Sequence, residues 1–278
     1  MCSLDYNACY INESHIIGSR VSSSKKDTAE SQSGEKVVLI TGGAKRVGAS
    51  ICRLLHAGGA KIMIHYRSSV NEARALQAEL NLQRPNSAAI IQGDLLNLAI
   101  LPSLVQETIN HFGRLDVLIN NASSYYATEI GEIEDDQWDD LIGSNLKAPL
   151  FLAQAAATEL RKQQGCIVNI TDMHVERPKK GYIVYSVAKA GLVTLTKSLA
   201  HELSPEVRVN AVAPGPVMWP EDNPQFNEVY RQRVISQTLL KRIGEGDDVA
   251  KAVRFLIEDA PFMTGQVIAV DGGRSLNL

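Results

Sequence analysis

The chain has 278 residues, 45% of them hydrophobic, enough for a large buried core in one domain or two small ones. A formal net charge of -3 gives no global basic field for nucleic acid, and no apolar run reaches the roughly 18 residues that span a bilayer. Cys52 and Cys166 stand alone in apolar segments, and Cys2 and Cys9 lie near the N-terminus, so neither a disulfide framework nor a thiolate metal site is expected. Small buried hydrophobes are the expected role of the first two, in a reducing cytoplasm.

Residues 1–35 do not read as part of a core. Val21–Gly34 is rich in Ser, Lys and Glu with almost nothing apolar, and the whole extension is expected to be disordered. Ile16 and Ile17 are apolar, but the continuous run and basic start of a signal peptide are missing. Asp5, Glu13 and scarce arginine suit a mitochondrial transit peptide poorly.

From Lys36 a rhythm begins that is expected to run through residues 36–278 as one domain. Short apolar strands are predicted at Val37–Ile40, Lys61–His65, Ala88–Ile91, Leu115–Ile119, Cys166–Ile170, Val207–Ala211 and Val267–Val270. Helical periodicity falls between them at Arg46–Ala57, Asn71–Leu80, Ile100–Phe112, Gln137–Arg161, Tyr182–Leu203 and Asp247–Ile257. All-apolar strands alternating with helices imply a parallel sheet covered on both faces. Right-handed crossovers then give a Rossmann-like, doubly wound α/β fold. Pro214–Thr238 breaks the rhythm with four prolines and Trp219, and reads as a long loop with room for one helix. No internal repeat and no second domain are found.

Ligands in such a fold bind at the carboxyl ends of the strands. The first such end is Thr41, Gly42, Gly43, Ala44, Lys45, Arg46, Val47 and Gly48, a glycine-rich strand-to-helix turn. Its backbone can approach phosphate closely, and the helix start offers unpaired N–H groups. The second strand ends in His65, Tyr66, Arg67, Ser68 and Ser69, with no carboxylate to hold a ribose 2'-hydroxyl. An arginine and hydroxyls there, with Arg46 nearby, suit a 2'-phosphate, so NADP(H) is the expected cofactor. Asp94, followed by Leu95, can hold the adenine amino group or cap a turn. Asn121, Ala122 and Ser123 stand where a nicotinamide ribose would lie, or form an Asx-turn.

Tyr185 and Lys189 are four residues apart, on one face of a predicted helix. Alone, such a pair reads as an ordinary helix surface. With a cofactor scaffold around it, an ammonium beside a phenol is expected to lower the tyrosine pKa from about 10 and make a proton donor.

Together Thr41–Gly48, Asp94, Asn120 to Ala122, Asn145, Tyr185 to Lys189, Pro214 with Gly215, and Asp271 to Gly273 resemble the short-chain dehydrogenase/reductase family. The match runs in family order from Lys36 to the C-terminus. Two departures stand out. Arg46 occupies a position where the family's turn usually has glycine, and Asp172 occupies that of the catalytic serine, thirteen residues before the tyrosine. Both features, with Tyr125 and the His65–Ser68 strand end, are similar to the pteridine reductase subgroup, several members of which carry phenylalanine at the place of Tyr125. The resemblance implies a homotetramer that reduces pterins or dihydropterins with NADPH.

It also implies the roles. Gly42, Arg46, Val47, Gly48, His65, Tyr66, Arg67, Ser68, Asp94, Leu95, Asn121, Ala122, Ser123, Lys189, Pro214 and Gly215 would hold the cofactor. Arg46, Ser123, Tyr125, Asp172, Tyr185 and Trp219 would meet the substrate, with the Tyr125 ring stacked on the flat pterin. Asp172, Tyr185, Lys189 and Asn145 would carry the chemistry, Asn145 through a water that links Lys189 to solvent. No metal, membrane or nucleic acid is expected. An ionised Asp172 would repel the developing oxyanion of a ketone, yet it can accept from a pterin's amino group and ring N–H. The rivals are a carbonyl reductase, such as a 3-oxoacyl-carrier-protein or sugar reductase, and an NADP(H)-binding regulator without turnover.

Overall fold

Seven strands form one parallel sheet. In a computed structural model that describes residues 35–219 and 227–277, they are β1 (Val37–Ile40), β2 (Lys61–Tyr66), β3 (Ala88–Gln92), β4 (Val117–Asn120), β5 (Cys166–Ile170), β6 (Arg208–Pro214) and β7 (Val267–Val270). The order across the sheet is β3-β2-β1-β4-β5-β6-β7, every neighbouring pair parallel. The expected extension falls outside the described residues up to position 34. Glu35 itself is anchored, its carboxylate lying 3.0 Å from Lys61 and 3.6 Å from Arg84.

The order turns back between β1 and β4, because each half is wound in the same hand from the middle. Helices therefore cover both faces. On one lie α1 (Arg46–Ala57), α2 (Val70–Gln83) and α8 (Gly246–Glu258), which bury Ile51, Leu55, Leu76, Val249 and Val253 against Ile40, Ile62 and Ile64. On the other lie α3 (Leu101–Phe112), α5 (Ala148–Gln163) and α6 (Ile183–Leu203), packed through Leu104, Leu152, Ala156 and Leu199 onto Leu39, Leu118 and Ile167. The strands are buried on both sides, which is why they read as continuous apolar runs. Each fully buried Leu or Ile contributes about 2 kcal/mol by removal from water.

The predicted helix over Gln137–Arg161 is instead three pieces: α4 (Asp135–Ile142), a π-helical segment at Gly143–Lys147, and α5. Two side chains account for the break. Pro149 has no N–H to give to the preceding turn, and the Asn145 amide donates to the Leu141 carbonyl at 3.0 Å. The irregular stretch after β6 contains one helix, α7 (Glu228–Gln237), while 220–226 lies outside the described residues. No helix among the described residues is long and apolar enough to cross a membrane.

Candidate active site

A cleft of about 440 Å³ opens along the carboxyl ends of the strands, where the crossover reverses. Its first wall is the turn between β1 and α1. Gly42 has φ +61°, and a Cβ there would sit 3.0 Å from the Ala122 Cα. A methyl on Gly48 would run into the Gly42 carbonyl and lie 2.8 Å from the Asn121 amide. Glycine is needed at both places by geometry, one for its dihedral and the other for the close approach of α1. Arg46 has φ +51°, a left-handed conformation that costs a non-glycine residue about 1 kcal/mol or more. Its guanidinium donates to the Met218 carbonyl at 2.9 Å, tying the turn to the segment that leaves β6.

The turn is braced from below. The Thr41 hydroxyl accepts from the N–H groups of Asn121 and Ala122 at 2.9 and 3.0 Å. The Asn121 amide donates to the carbonyls of Thr41 and Gly42, both at 2.9 Å. His65 Nδ1 accepts from the Gly42 N–H at 3.2 Å, which leaves the proton on Nε2, 3.1 Å from the Gly93 carbonyl. Burial holds this imidazole neutral, with its pKa pushed down to about 4. Asn121 and His65, read in the sequence as cofactor contacts, thus also hold the phosphate turn in shape.

Beyond the turn the cleft is lined by Lys45, Arg46, Tyr66, Arg67, Ser68 and Ser69, and no carboxylate follows β2. Asp94 lines it as well, its Oδ1 accepting from the Leu96 N–H at 3.1 Å to close a turn. A glycine cradle, a helix start and this cationic end fit a dinucleotide with an extra phosphate.

At the opposite end lie Asp172, Tyr185 and Lys189. Asp172 follows β5, with one carboxylate oxygen fixed by the His174 N–H at 2.7 Å. The other accepts from the Tyr185 hydroxyl at 2.7 Å. Burial and this carboxylate together push the Tyr185 pKa well above its ordinary value. That reverses the expectation built on the helix spacing: Asp172 speaks to the phenol more strongly than Lys189 does. The Lys189 ammonium donates to the Ile170 carbonyl at 2.9 Å and stands 5.8 Å from the Tyr185 ring centre. It is wholly buried, and desolvation lowers its pKa to about 8 against the partial support of Asp172.

All the predicted site residues line the cleft except Asn145, Tyr125 and Trp219. The Asn145 side chain is fully used inside the protein. It accepts from the Ser123 hydroxyl at 2.7 Å and donates to the Ser124 carbonyl at 3.0 Å, fixing the strip after β4. Tyr125 stacks on Tyr182 at 4.8 Å between centres and stands edge-on to Tyr185 at 4.8 Å. One of its faces is therefore already covered, and Lys179 donates to its hydroxyl at 3.0 Å. Trp219 packs edge-on against Tyr230 of α7. The lining also includes Ala44, Lys45, Ser69, Leu96, Ser124, Ser144, Ile170, Thr171 and Val217, to which the sequence reading gives no site role. Lys45, Ser69, Leu96, Ser124, Ser144 and Thr171 each adjoin a predicted residue, so their positions carry a signal; Ala44, Ile170 and Val217 do not.

Residues 42–275 match a family model described as enoyl-(acyl carrier protein) reductase. The chain belongs to the short-chain dehydrogenase/reductase family. It is an oxidoreductase, as the family match and the relatives agree. It is 40% identical to pteridine reductase 1 of Leishmania tarentolae, with 86% of this chain and 96% of that protein covered. It is 33% identical to the 3-oxoacyl-(acyl-carrier-protein) reductase FabG of Staphylococcus aureus (strain Mu50), over 86% of this chain and 97% of that one. A Staphylococcus epidermidis reductase of the same name is also 33% identical, with 86% and 98% covered.

Proposed function

We propose that the chain reduces pterins or dihydropterins with NADPH. The observation that carries this reading is the Asp172 carboxylate, 2.7 Å from the Tyr185 hydroxyl. A ketone presents only an acceptor, and a carboxylate beside its carbonyl would oppose the charge that develops on oxygen. A pterin presents an amino group and ring N–H donors to the same carboxylate. The higher identity to a pteridine reductase than to the 3-oxoacyl reductases supports the same choice.

In this reading Lys45, Arg46, Arg67 and Ser68 would hold the 2'-phosphate of NADPH, which would supply the hydride when bound. Asp172 holds and orients the pterin edge. Tyr185, kept protonated by burial and by Asp172, gives its proton to the ring nitrogen next to the carbon that is reduced. Asp172 is half-buried and can pass a proton back to the phenol from solvent. Lys189 supplies a buried positive charge behind the pair, which favours the phenolate left after proton transfer. Asn145 keeps Ser123 and Ser124 in place along the cleft wall. Tyr125 is partly exposed beside Tyr185 and offers the substrate an aromatic contact. The family resemblance further implies a homotetramer, which size-exclusion chromatography with light scattering tests.

The functional test is a panel of dihydrobiopterin, dihydromonapterin, dihydrofolate and an acetoacetyl thioester, each followed by NADPH consumption. Turnover of dihydropterins without the thioester is expected. Turnover of the thioester alone would make the protein a carbonyl reductase.

A further inference from the structure

Arg274, in the last turn of the described chain, is 8% exposed. Its guanidinium donates to the Val234 carbonyl at 3.0 Å and to the Gln237 side chain at 3.1 Å. No carboxylate among the described residues lies within ion-pair distance of it. Burying a cation without a counter-ion is costly unless other groups compensate. Here the compensation is the negative end of α7, whose last turn contains both partners.

The surroundings hold Arg274 rigidly against that helix. Asp271 accepts from the N–H groups of Gly273 and Ser275 at 2.9 and 2.8 Å, which shapes the turn. Gly272 and Gly273 have φ +62° and +77°, and a Cβ on either would collide with Thr238 or Leu239 just past α7. Asn277 adds a bond to the Gln237 carbonyl at 3.1 Å. The helix needs this anchorage, because Val234 is its only buried residue.

The other end of α7 meets Trp219, beside the segment that leaves β6. Tyr230 is edge-on to Trp219 at 6.4 Å, and the Arg231 guanidinium lies 5.6 Å from the Trp219 ring centre. Trp219 directly follows Met218, whose carbonyl Arg46 holds from across the cleft.

We propose that Arg274 is a positioning residue for Trp219, which the sequence reading assigns to the substrate: it fixes the C-terminal turn of α7, and through Tyr230 and Arg231 it sets Trp219 next to Met218, whose carbonyl Arg46 holds. The chain's two tryptophans make this testable without any substrate. In a Trp138→Phe background, Trp219 is the sole reporter. Arg274→Met then shifts its emission to the red and raises its quenching by acrylamide about twofold, while NADPH affinity is unchanged. With dihydropterin, KM rises about fivefold, the worth of one lost hydrogen bond, and kcat stays within about twofold. Arg274→Lys, which can still reach a helix carbonyl, recovers part of both effects. Gln237→Leu, which removes one partner and leaves the cation, gives the same signature at smaller amplitude and stands in if Arg274→Met does not fold. Unchanged Trp219 emission in the folded variants overturns the proposal, as does a parallel loss of NADPH and substrate affinity. Only the kinetic arm rests on the pterin reading. A red shift in a parent enzyme that ignores pterins would refute that reading and leave the role of Arg274 standing.

Discussion

The two ends of the sheet treat buried charge differently. At the amino end, Asp116 is buried, and its carboxylate is saturated by the Arg114 fork at 2.9 and 2.6 Å and by the Val37 N–H at 2.9 Å. Arg208 likewise puts its donors on the carbonyls of Leu256, Ile257 and Ala260 at the end of α8. At the carboxyl end, Lys189 is buried with one carbonyl partner and a depressed pKa, and Tyr185 is buried with a raised one. The π segment interrupts a helix there. One end uses its polar groups for stability. The other keeps a lysine and a tyrosine of displaced pKa, the pattern expected of a site built for chemistry.

The sharpest way to break this contrast is Tyr185→Phe. It should lower turnover by about 10³-fold or more while NADPH binding, followed by fluorescence titration, stays intact. Full activity would remove the proton donor from the account. Asp172→Ser should cut dihydropterin kcat/KM by about 10²-fold and open some activity on the acetoacetyl thioester. Equal pterin rates would sever Asp172 from substrate choice.

Lys189→Met tests the cost of the functional end. Burial lowers the Lys189 pKa to about 8 from an ordinary 10.5, so the folded state binds this proton less readily than the unfolded chain. The resulting penalty is fully present below pH 8 and disappears as pH rises toward 10.5. The methionine variant should therefore be inactive yet more stable at pH 7 by about 1–3 kcal/mol in urea titration, with the gain shrinking above pH 8. Asp116→Asn tests the other end and should do the reverse. It should cost about 1–2 kcal/mol of stability, because a charge-assisted fork is lost, with kcat/KM unchanged.

Much of this layout is legible in the sequence alone. The strands read as uninterrupted apolar runs, the glycine-rich turn, Tyr185 and Lys189 stand out by type and spacing, and Asp172 stands out through the family resemblance. What escaped depends on directions that sequence does not carry. His65 and Asn121 were placed correctly along the chain, but their bonds onto the turn appear only once three strand ends meet. The break at Gly143–Lys147 had a signal in Pro149, overridden by the apolar periodicity on either side. The helix spacing shows the Lys189 partner, but neither the burial of Tyr185 nor the 2.7 Å approach of Asp172, which together raise its pKa. Arg274 reaches Val234 across forty residues of chain, a link no local pattern shows.

The most direct test of the central claim is the rate of NADPH oxidation with dihydrobiopterin set against the rate with an acetoacetyl thioester, using the full chain. The account predicts turnover of the dihydropterin and none of the thioester. Turnover of the thioester with the dihydropterin untouched would contradict it, and would mean that a carboxylate at position 172 is compatible with ketone reduction.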